Sequence, residues 1–192
     1  MLRAQPPRTS SGEPVRGVQR LWDPRVWGTI VGAAGATVFV MANRGSLPDP
    51  WPLVAVVTWA AAVLAYGWFV FGQPRVFGDP GPVGPRAGLT YLASVVGMLV
   101  LIRLGTTLLD DSGLRPALIV VAVGLHFLPF ARAFHTPMFA LLGSLMAVLG
   151  GVGLVLGWAW DERAAAGAAV LTGIVMLVVI AADAGRTTAQ PG

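Results

Sequence analysis

Residues 137–160 read PMFALLGSLMAVLGGVGLVLGWAW, a run without a single charged side chain. Apolar residues follow one another continuously here and do not alternate with polar ones, as they would in a half-buried strand. A helix rises 1.5 Å per residue, so roughly 20 apolar residues are needed to cross the hydrocarbon core of a bilayer. The run therefore predicts a membrane-spanning helix.

Five further apolar runs, bounded by charged residues or proline, lie along the chain. Because lipid offers no hydrogen-bonding partners to the backbone, such runs cross a membrane as helices. The sequence thus predicts an all-α membrane protein, a bundle of about six transmembrane helices. The predicted spans are residues 26–42, 53–71, 88–108, 116–134, 137–160 and 164–182.

The composition indicates the same class of protein. The chain is 55% hydrophobic and 11% charged, whereas about 25% of the residues of a soluble domain are charged. All 13 basic residues are arginines. They lie between apolar runs and form no basic patch, so we expect the lipid bilayer as a partner and no nucleic acid. Disulfides and thiolate chemistry are excluded because cysteine is absent.

The arginines also predict the orientation. With the N-terminus in the cytoplasm, nine arginines lie on that side and three on the other, and Arg103 lies within the third span. Arginine is enriched in cytoplasmic loops, and an even number of spans returns the C-terminus to the same side. Both termini are therefore expected in the cytoplasm. Arginine without lysine, and abundant alanine, glycine, valine and leucine, is typical of a high-GC bacterial genome, which indicates a bacterial cytoplasmic (inner) membrane.

The two ends of the chain are expected to lie outside the bundle. Residues 1–13 have the composition of a disordered cytoplasmic tail, and residues 184–192 are expected to form a C-terminal tail. In residues 14–25 the apolar side chains share a helical face opposite Arg16 and Arg20, which is typical of an interfacial helix. A basic linker is the alternative.

Several predicted helix starts carry capping residues. Asp23, Asp49 and Thr136 each precede a proline, which the first turn of a helix tolerates because its N–H is not needed there. Asp161 stands before the sixth span, at the positive end of that helix dipole. We expect these four side chains to cap their helices.

His126 lies near the middle of the fourth span, and Pro129 follows it by three residues. Proline removes a backbone hydrogen bond, so the helix should be kinked beside the imidazole. A titratable ring next to a free carbonyl is typical of a binding site for a proton or a polar solute. The alternative is a packing role, in which His126 bonds to another helix through Ser94, Ser144 or Thr172. Without further ligands in its helix, His126 predicts no metal site.

Charged residues near the ends of spans form the remaining polar candidates. Arg132 and Asp183 close the fourth and sixth spans on the same side, where they either pair or extend separately to the headgroups. In the outer half of the third span, Arg103 is expected to reach Asp110 or Asp111.

Small residues four apart allow helix backbones to approach closely. Gly28 and Gly32 form one such pair, and Gly153 and Gly157 form another. We expect both faces to pack against helices of the same chain. A second copy or another membrane protein is the alternative partner.

Three spans in each half would make a duplicated unit inverted in the membrane, as in many secondary transporters. Arg86-Ala87-Gly88 opens the third span and Arg163-Ala164-Ala165 the sixth. Chance similarity between alanine-rich helices is the alternative.

No catalytic motif is present: the sequence contains neither His-Glu-x-x-His, Gly-x-Ser-x-Gly nor a phosphate-binding loop. The segment Gly-Leu-His-Phe-Leu-Pro at residues 124–129 resembles a helix of small uncharacterised multi-span bacterial integral membrane proteins. That resemblance covers a small part of the chain and implies no activity or cofactor.

Two functions remain open. The sequence favours a non-catalytic accessory or structural membrane component. The alternative is a small-solute or proton-coupled transporter with a site at His126 and Pro129. An intramembrane enzyme is disfavoured, because the spans offer no visible nucleophile, metal set or acid/base pair.

Overall fold

The computed structural model describes residues 24–72, 85–109, 113–134 and 136–186. These residues form six α-helices and no strand, so the predicted all-α architecture is confirmed for the part of the chain that the structure describes. The helices are α1 Pro24–Asn43, α2 Trp51–Gly67, α3 Ala87–Leu108, α4 Arg115–Ala133, α5 Pro137–Ala159 and α6 Arg163–Arg186.

Two short helical turns complete the described structure. A 3-10 turn, Arg44–Ser46, joins α1 to α2, and α2 continues into a π-helical turn, Trp68–Gly72. Each predicted span overlaps one helix. The largest difference is at α6, which continues to Arg186, so the first three residues of the expected C-terminal tail are helical. The predicted tail 1–13 and most of the predicted interfacial helix lie outside the described residues.

Five of the six helices are long and apolar enough to cross a membrane: α2 with its π-helical turn, α3, α4, α5 and α6. α1 has 20 residues and packs along α6. The chain is therefore a multi-span helical membrane protein.

Only part of the capping prediction holds. The carboxylate of Asp161 accepts a hydrogen bond from the backbone N–H of Arg163 at 2.9 Å, so the cap of α6 is confirmed. Asp49 and Thr136 make no side-chain cap, and those two predictions are wrong. The Thr136 hydroxyl instead donates to the carbonyl of Phe134 at 3.1 Å.

At the start of α2, backbone carbonyls accept the hydrogen bonds that were expected to go to the Asp49 side chain. The Trp51 N–H donates to the Pro48 carbonyl at 2.9 Å, and the Leu53 N–H to the Pro50 carbonyl at 3.2 Å. Asp23 lies outside the described residues.

α6 is the centre of the bundle. It packs against α1, α2, α4 and α5, and 56% of its most apolar stretch is buried, compared with 6% for α3. Small side chains on its buried face let several helices approach it at once. They include Ala165, Ala166, Ala169, Gly173, Ala181 and Ala184.

α3 lies at the edge of the bundle, where it packs mainly against α4. Most of its surface is exposed, and the exposed side chains are large and apolar. They include Leu89, Leu92, Val96, Leu99 and Leu104. In hydrocarbon the exposure of these side chains costs no free energy, because lipid tails are as apolar as leucine.

Three of the four predicted packing glycines lie at contacts between helices. A Cβ built on Gly157 would lie 2.6 Å from Leu114 Cδ2, and one built on Gly32 would lie 2.8 Å from Ile180 Cδ1, so both glycines lie at helix contacts within the chain. Gly153 likewise approaches Ala168 of α6.

Gly28 faces open space, since a Cβ built there would meet no atom within 4 Å. Four residues turn a helix by about 400°, so a residue four back from Gly32 is rotated by about 40° from the same face. The expectation that Gly28 lies at a helix contact is therefore not met in the described part of the chain.

The two three-helix halves do not pack alike. α4 and α5 are in extensive contact, whereas α1 and α2, the corresponding pair, touch at few points. Likewise α5 packs along α6, but the described parts of α2 and α3 make at most a marginal contact. The arrangement gives no support to an inverted duplication.

Candidate functional site

His126 lies in an aromatic cluster formed by α3, α4 and the start of α5. The imidazole is half-buried, and its ring centroid lies 6.4 Å from that of Tyr91, 5.5 Å from that of Phe127 and 6.2 Å from that of Phe130. Phe139 of α5 stacks on Phe127 with centroids 5.5 Å apart, which joins the cluster to the next helix. The ring of His126 is thus held mainly by neighbouring rings.

The hydroxyl partners expected for His126 are not found among the described residues. The imidazole faces the backbone of Ser94, but the Ser94 hydroxyl donates to the carbonyl of Tyr91 at 2.8 Å. The Thr172 hydroxyl is buried without a hydrogen bond, as is Nδ1 of His126. The sequence leaves three partner helices open for His126 and does not predict its aromatic environment.

Pro129 does not break α4. The helix runs through it to Ala133, and the kink beside the imidazole stays a prediction. Around Pro129, Phe130 contacts Phe134 and Phe139 with ring centroids 4.4 and 4.8 Å apart. Phe139 also stacks on Phe127, so one ring of α5 contacts residues of α4 on both sides of the proline.

Arg132 and Asp183 lie at the same end of the bundle. Arg132 is exposed and Asp183 is half-buried, and within the described ranges no ion pair joins them. Arg103 is exposed on α3, and its predicted partners Asp110 and Asp111 lie outside the described residues. The described part of the chain contains no group of three metal-ligating side chains.

Two cavities lie at the opposite end of the bundle from Arg132, where α4 and α6 begin. We call them the apolar groove and the polar cavity. The apolar groove, of about 580 Å³, is lined by α2, the last turn of α5 and the first half of α6. The polar cavity, of about 610 Å³, is lined by Arg115, Glu162, Arg163 and the turn after α1. His126 borders neither of them.

The two cavities meet at Leu47, Pro48 and Arg163, which line both. The Glu162 carboxylate accepts a hydrogen bond from the Gly113 N–H at 3.1 Å and so ties the α5–α6 connection to the start of α4. The sequence predicts Asp161 only as a helix cap. The missed signal is topological: three short connections that begin α2, α4 and α6 must meet at one end of the bundle.

The fold defines the class: a multi-span α-helical membrane protein with a central alanine-rich helix. Beyond that class, no protein-family model, curated protein or solved structure matches the chain.

Proposed function

We propose that this chain is a non-catalytic accessory component of a bacterial cytoplasmic membrane, which it crosses six times with both termini in the cytoplasm. The observation that supports this function is the environment of His126. Its ring is packed among aromatic side chains and borders neither cavity, so we assign it to helix packing and not to a solute pathway.

Proton-coupled transport is the second candidate, and one observation favours it. Nδ1 of His126 is buried and makes no hydrogen bond, so its capacity to bind a proton or a polar group is unused in this arrangement. The two candidates predict different behaviour for a variant that keeps the ring but removes its nitrogens.

His126→Phe and His126→Ala distinguish the two functions. If the ring only packs, His126→Ala should lower the free energy of unfolding in detergent by about 0.5–2 kcal/mol, because a polar interhelical side chain contributes on that order. His126→Phe, which retains an aromatic ring, should lose less. Thermal unfolding of the purified variants measures both.

The same variants are then reconstituted into vesicles that contain a pH-sensitive dye. A non-catalytic, non-transporting protein shows the same proton leak as vesicles without protein, in the wild type and in both variants. A pH-dependent flux that is present in the wild type and lost in both variants would contradict the proposal and establish transport.

A further inference from the structure

Among the described residues, Arg103 is the only arginine that lies well inside a helix. It stands five residues before Leu108, the last residue of α3, which is about 8 Å at 1.5 Å per residue. Each of the other described arginines lies within one residue of a helix end or between helices. α3 is long and apolar enough to cross a membrane, so the backbone of Arg103 lies within the hydrocarbon.

Arg103 has no counter-charge among the described residues. Its side chain is exposed and makes no hydrogen bond or ion pair there. The hydroxyl of Thr107, one turn further on, donates to the Arg103 carbonyl at 2.8 Å and so bonds the backbone, not the guanidinium. In a helix the Cα–Cβ bond tilts toward the N-terminus, which for Arg103 is the direction away from the nearer end of α3. An ionisable residue at this depth is costly and by default marks a functional contact.

Arg103 continues a row of large apolar side chains on the exposed face of α3. We call these residues the α3 row: Leu89, Leu92, Val96, Leu99 and Arg103. The four apolar members are each at least half exposed. The five positions follow at alternating steps of three and four residues, the spacing by which one helix face packs along another helix. Since α3 packs mainly against α4, the α3 row is left without a partner in the described part of the chain.

A second copy of this chain does not supply a carboxylate at the depth of Arg103. Among the described acidic residues only Asp183 lies inside a helix, three residues before the end of α6. α6 ends at the opposite end of the bundle from the end of α3, so copies inserted in the same direction would hold Arg103 and Asp183 about 20 Å apart in depth. Asp161 and Glu162, at the start of α6, already accept hydrogen bonds within the chain.

We propose that the α3 row is a docking surface for a transmembrane helix of another membrane protein, whose carboxylate pairs with Arg103. Lipid competes equally for the apolar side chains of the row, so the charge pair supplies the selectivity. A guanidinium and a carboxylate form parallel charge-assisted hydrogen bonds, which are stronger in hydrocarbon than in water. This inference rests on the proposed accessory role and names the class of partner for it.

A synthetic transmembrane helix tests the proposal on the full chain in phosphatidylcholine vesicles. The probe is a leucine–alanine helix as long as α3, with a single glutamate five residues before its C-terminal end, and the same helix with glutamine is its control. Energy transfer between labelled chain and labelled peptide measures binding. The glutamate peptide should bind about tenfold more tightly, because only it forms an ion pair. Equal binding of the two peptides would overturn the proposal.

Arg103→Gln should remove the preference for the glutamate peptide. Arg44→Gln is the matched control, because Arg44 is exposed at the same end of the bundle but lies outside α3. This control should keep the full preference. A preference that survives Arg103→Gln, or that both substitutions reduce equally, would contradict a role of Arg103 in docking.

The predicted pairing of Arg103 with Asp110 or Asp111 is the competing arrangement within the chain. Both acidic residues lie outside the described ranges, so the double variant Asp110→Asn, Asp111→Asn provides the test. It should bind the glutamate peptide as the wild type does. Tighter binding by the double variant would show that the chain itself neutralises Arg103, and the docking proposal would fail.

Disulfide formation identifies the helix face that the peptide contacts, since the chain contains no cysteine of its own. A peptide cysteine four residues before the glutamate should cross-link to Leu99→Cys in the α3 row. Val152→Cys on α5 is the control, because Val152 is exposed to a similar extent, 48% compared with 55% for Leu99. Equal cross-linking at the two positions would show that the peptide does not select the α3 row.

The Leu99→Cys variant also tests for a second copy. Without peptide it should remain monomeric under oxidising conditions, and a disulfide-linked dimer would show that the α3 row is covered by the same protein instead. None of these measurements involves proton flux. Failure of the docking proposal is therefore distinguishable from failure of the non-transporting role, which the His126 variants test.

Discussion

Gly124 lies at a close backbone contact between α4 and α5. A Cβ built on it would lie 2.6 Å from the backbone nitrogen of Ala147 and 2.9 Å from the carbonyl oxygen of Gly143. Both neighbours are backbone atoms, so neither can rotate away and the helices would have to separate. A single methyl group at this position therefore disturbs a whole helix contact.

Gly124→Ala should lower the free energy of unfolding in detergent by about 1–3 kcal/mol, the range for inserting a methylene into a well-packed contact. Thermal unfolding measures the change.

The matched control is Gly151→Ala, in the interior of α5 with open space at its Cβ. It should be neutral or stabilising by up to about 1 kcal/mol, because alanine is the better helix former. Similar destabilisation by both substitutions would show that the loss of stability in Gly124→Ala does not come from the close contact between α4 and α5.

Residue spacing alone predicted only some of these contacts. Gly153 and Gly157 lie four apart and both meet neighbouring helices, but Gly124 has no glycine four residues away and yet a Cβ built on it would meet backbone atoms of α5. Spacing describes one helix face, whereas a close contact also depends on which residue of the partner helix lies opposite. That second factor is set by the tertiary arrangement and leaves no periodic signal.

At the scale of elements, α1 and α2 are joined by side-chain hydrogen bonds more than by close backbone packing. Nε1 of Trp59 donates to the Thr37 hydroxyl at 3.1 Å, and the hydroxyls of Thr29 and Tyr66 lie 3.3 Å apart. The Thr37 hydroxyl in turn donates to the Ala33 carbonyl at 2.8 Å, which fixes its orientation. These bonds explain a tryptophan in mid-span, away from the membrane interface.

A double-mutant cycle of Trp59→Phe and Thr37→Val measures this link. Interhelical hydrogen bonds in membranes contribute about 0.6 kcal/mol, so we expect a coupling energy of that order in the free energy of unfolding. Trp51→Phe, at the exposed start of α2, should show no coupling to Thr37→Val. Additive effects of Trp59→Phe and Thr37→Val would mean that the bond contributes nothing to the α1–α2 contact.

For the elements, hydropathy was a sufficient guide because the solvent imposes it: a helix must be apolar over the thickness of the bilayer. The start of α2 shows the limit of local signals. Asp49 followed by proline is typical of a cap, but the carbonyls of Pro48 and Pro50 accept the first-turn bonds instead. Backbone and side-chain acceptors compete at such a position, and the sequence does not reveal which is used.

For the whole molecule, the order of packing around α6 could not be predicted from the chain. Short connections predict that neighbours in sequence are neighbours in space, yet α1 packs more closely along α6 than along α2. The alanine and glycine face of α6 permits this arrangement, because it accepts backbones from several sides. The cavities at Arg163 follow from that arrangement and therefore were not predicted either.

The most direct test of a six-span protein with cytoplasmic termini uses the absence of cysteine, which makes each introduced cysteine unique. Ser46→Cys, Pro85→Cys and Arg186→Cys are labelled with a membrane-impermeant maleimide in bacterial cells, before and after permeabilisation of the cytoplasmic membrane. We predict labelling of residue 46 in intact cells, and of residues 85 and 186 only after permeabilisation. Labelling of residues 46 and 85, or of 46 and 186, from the same side would contradict this topology.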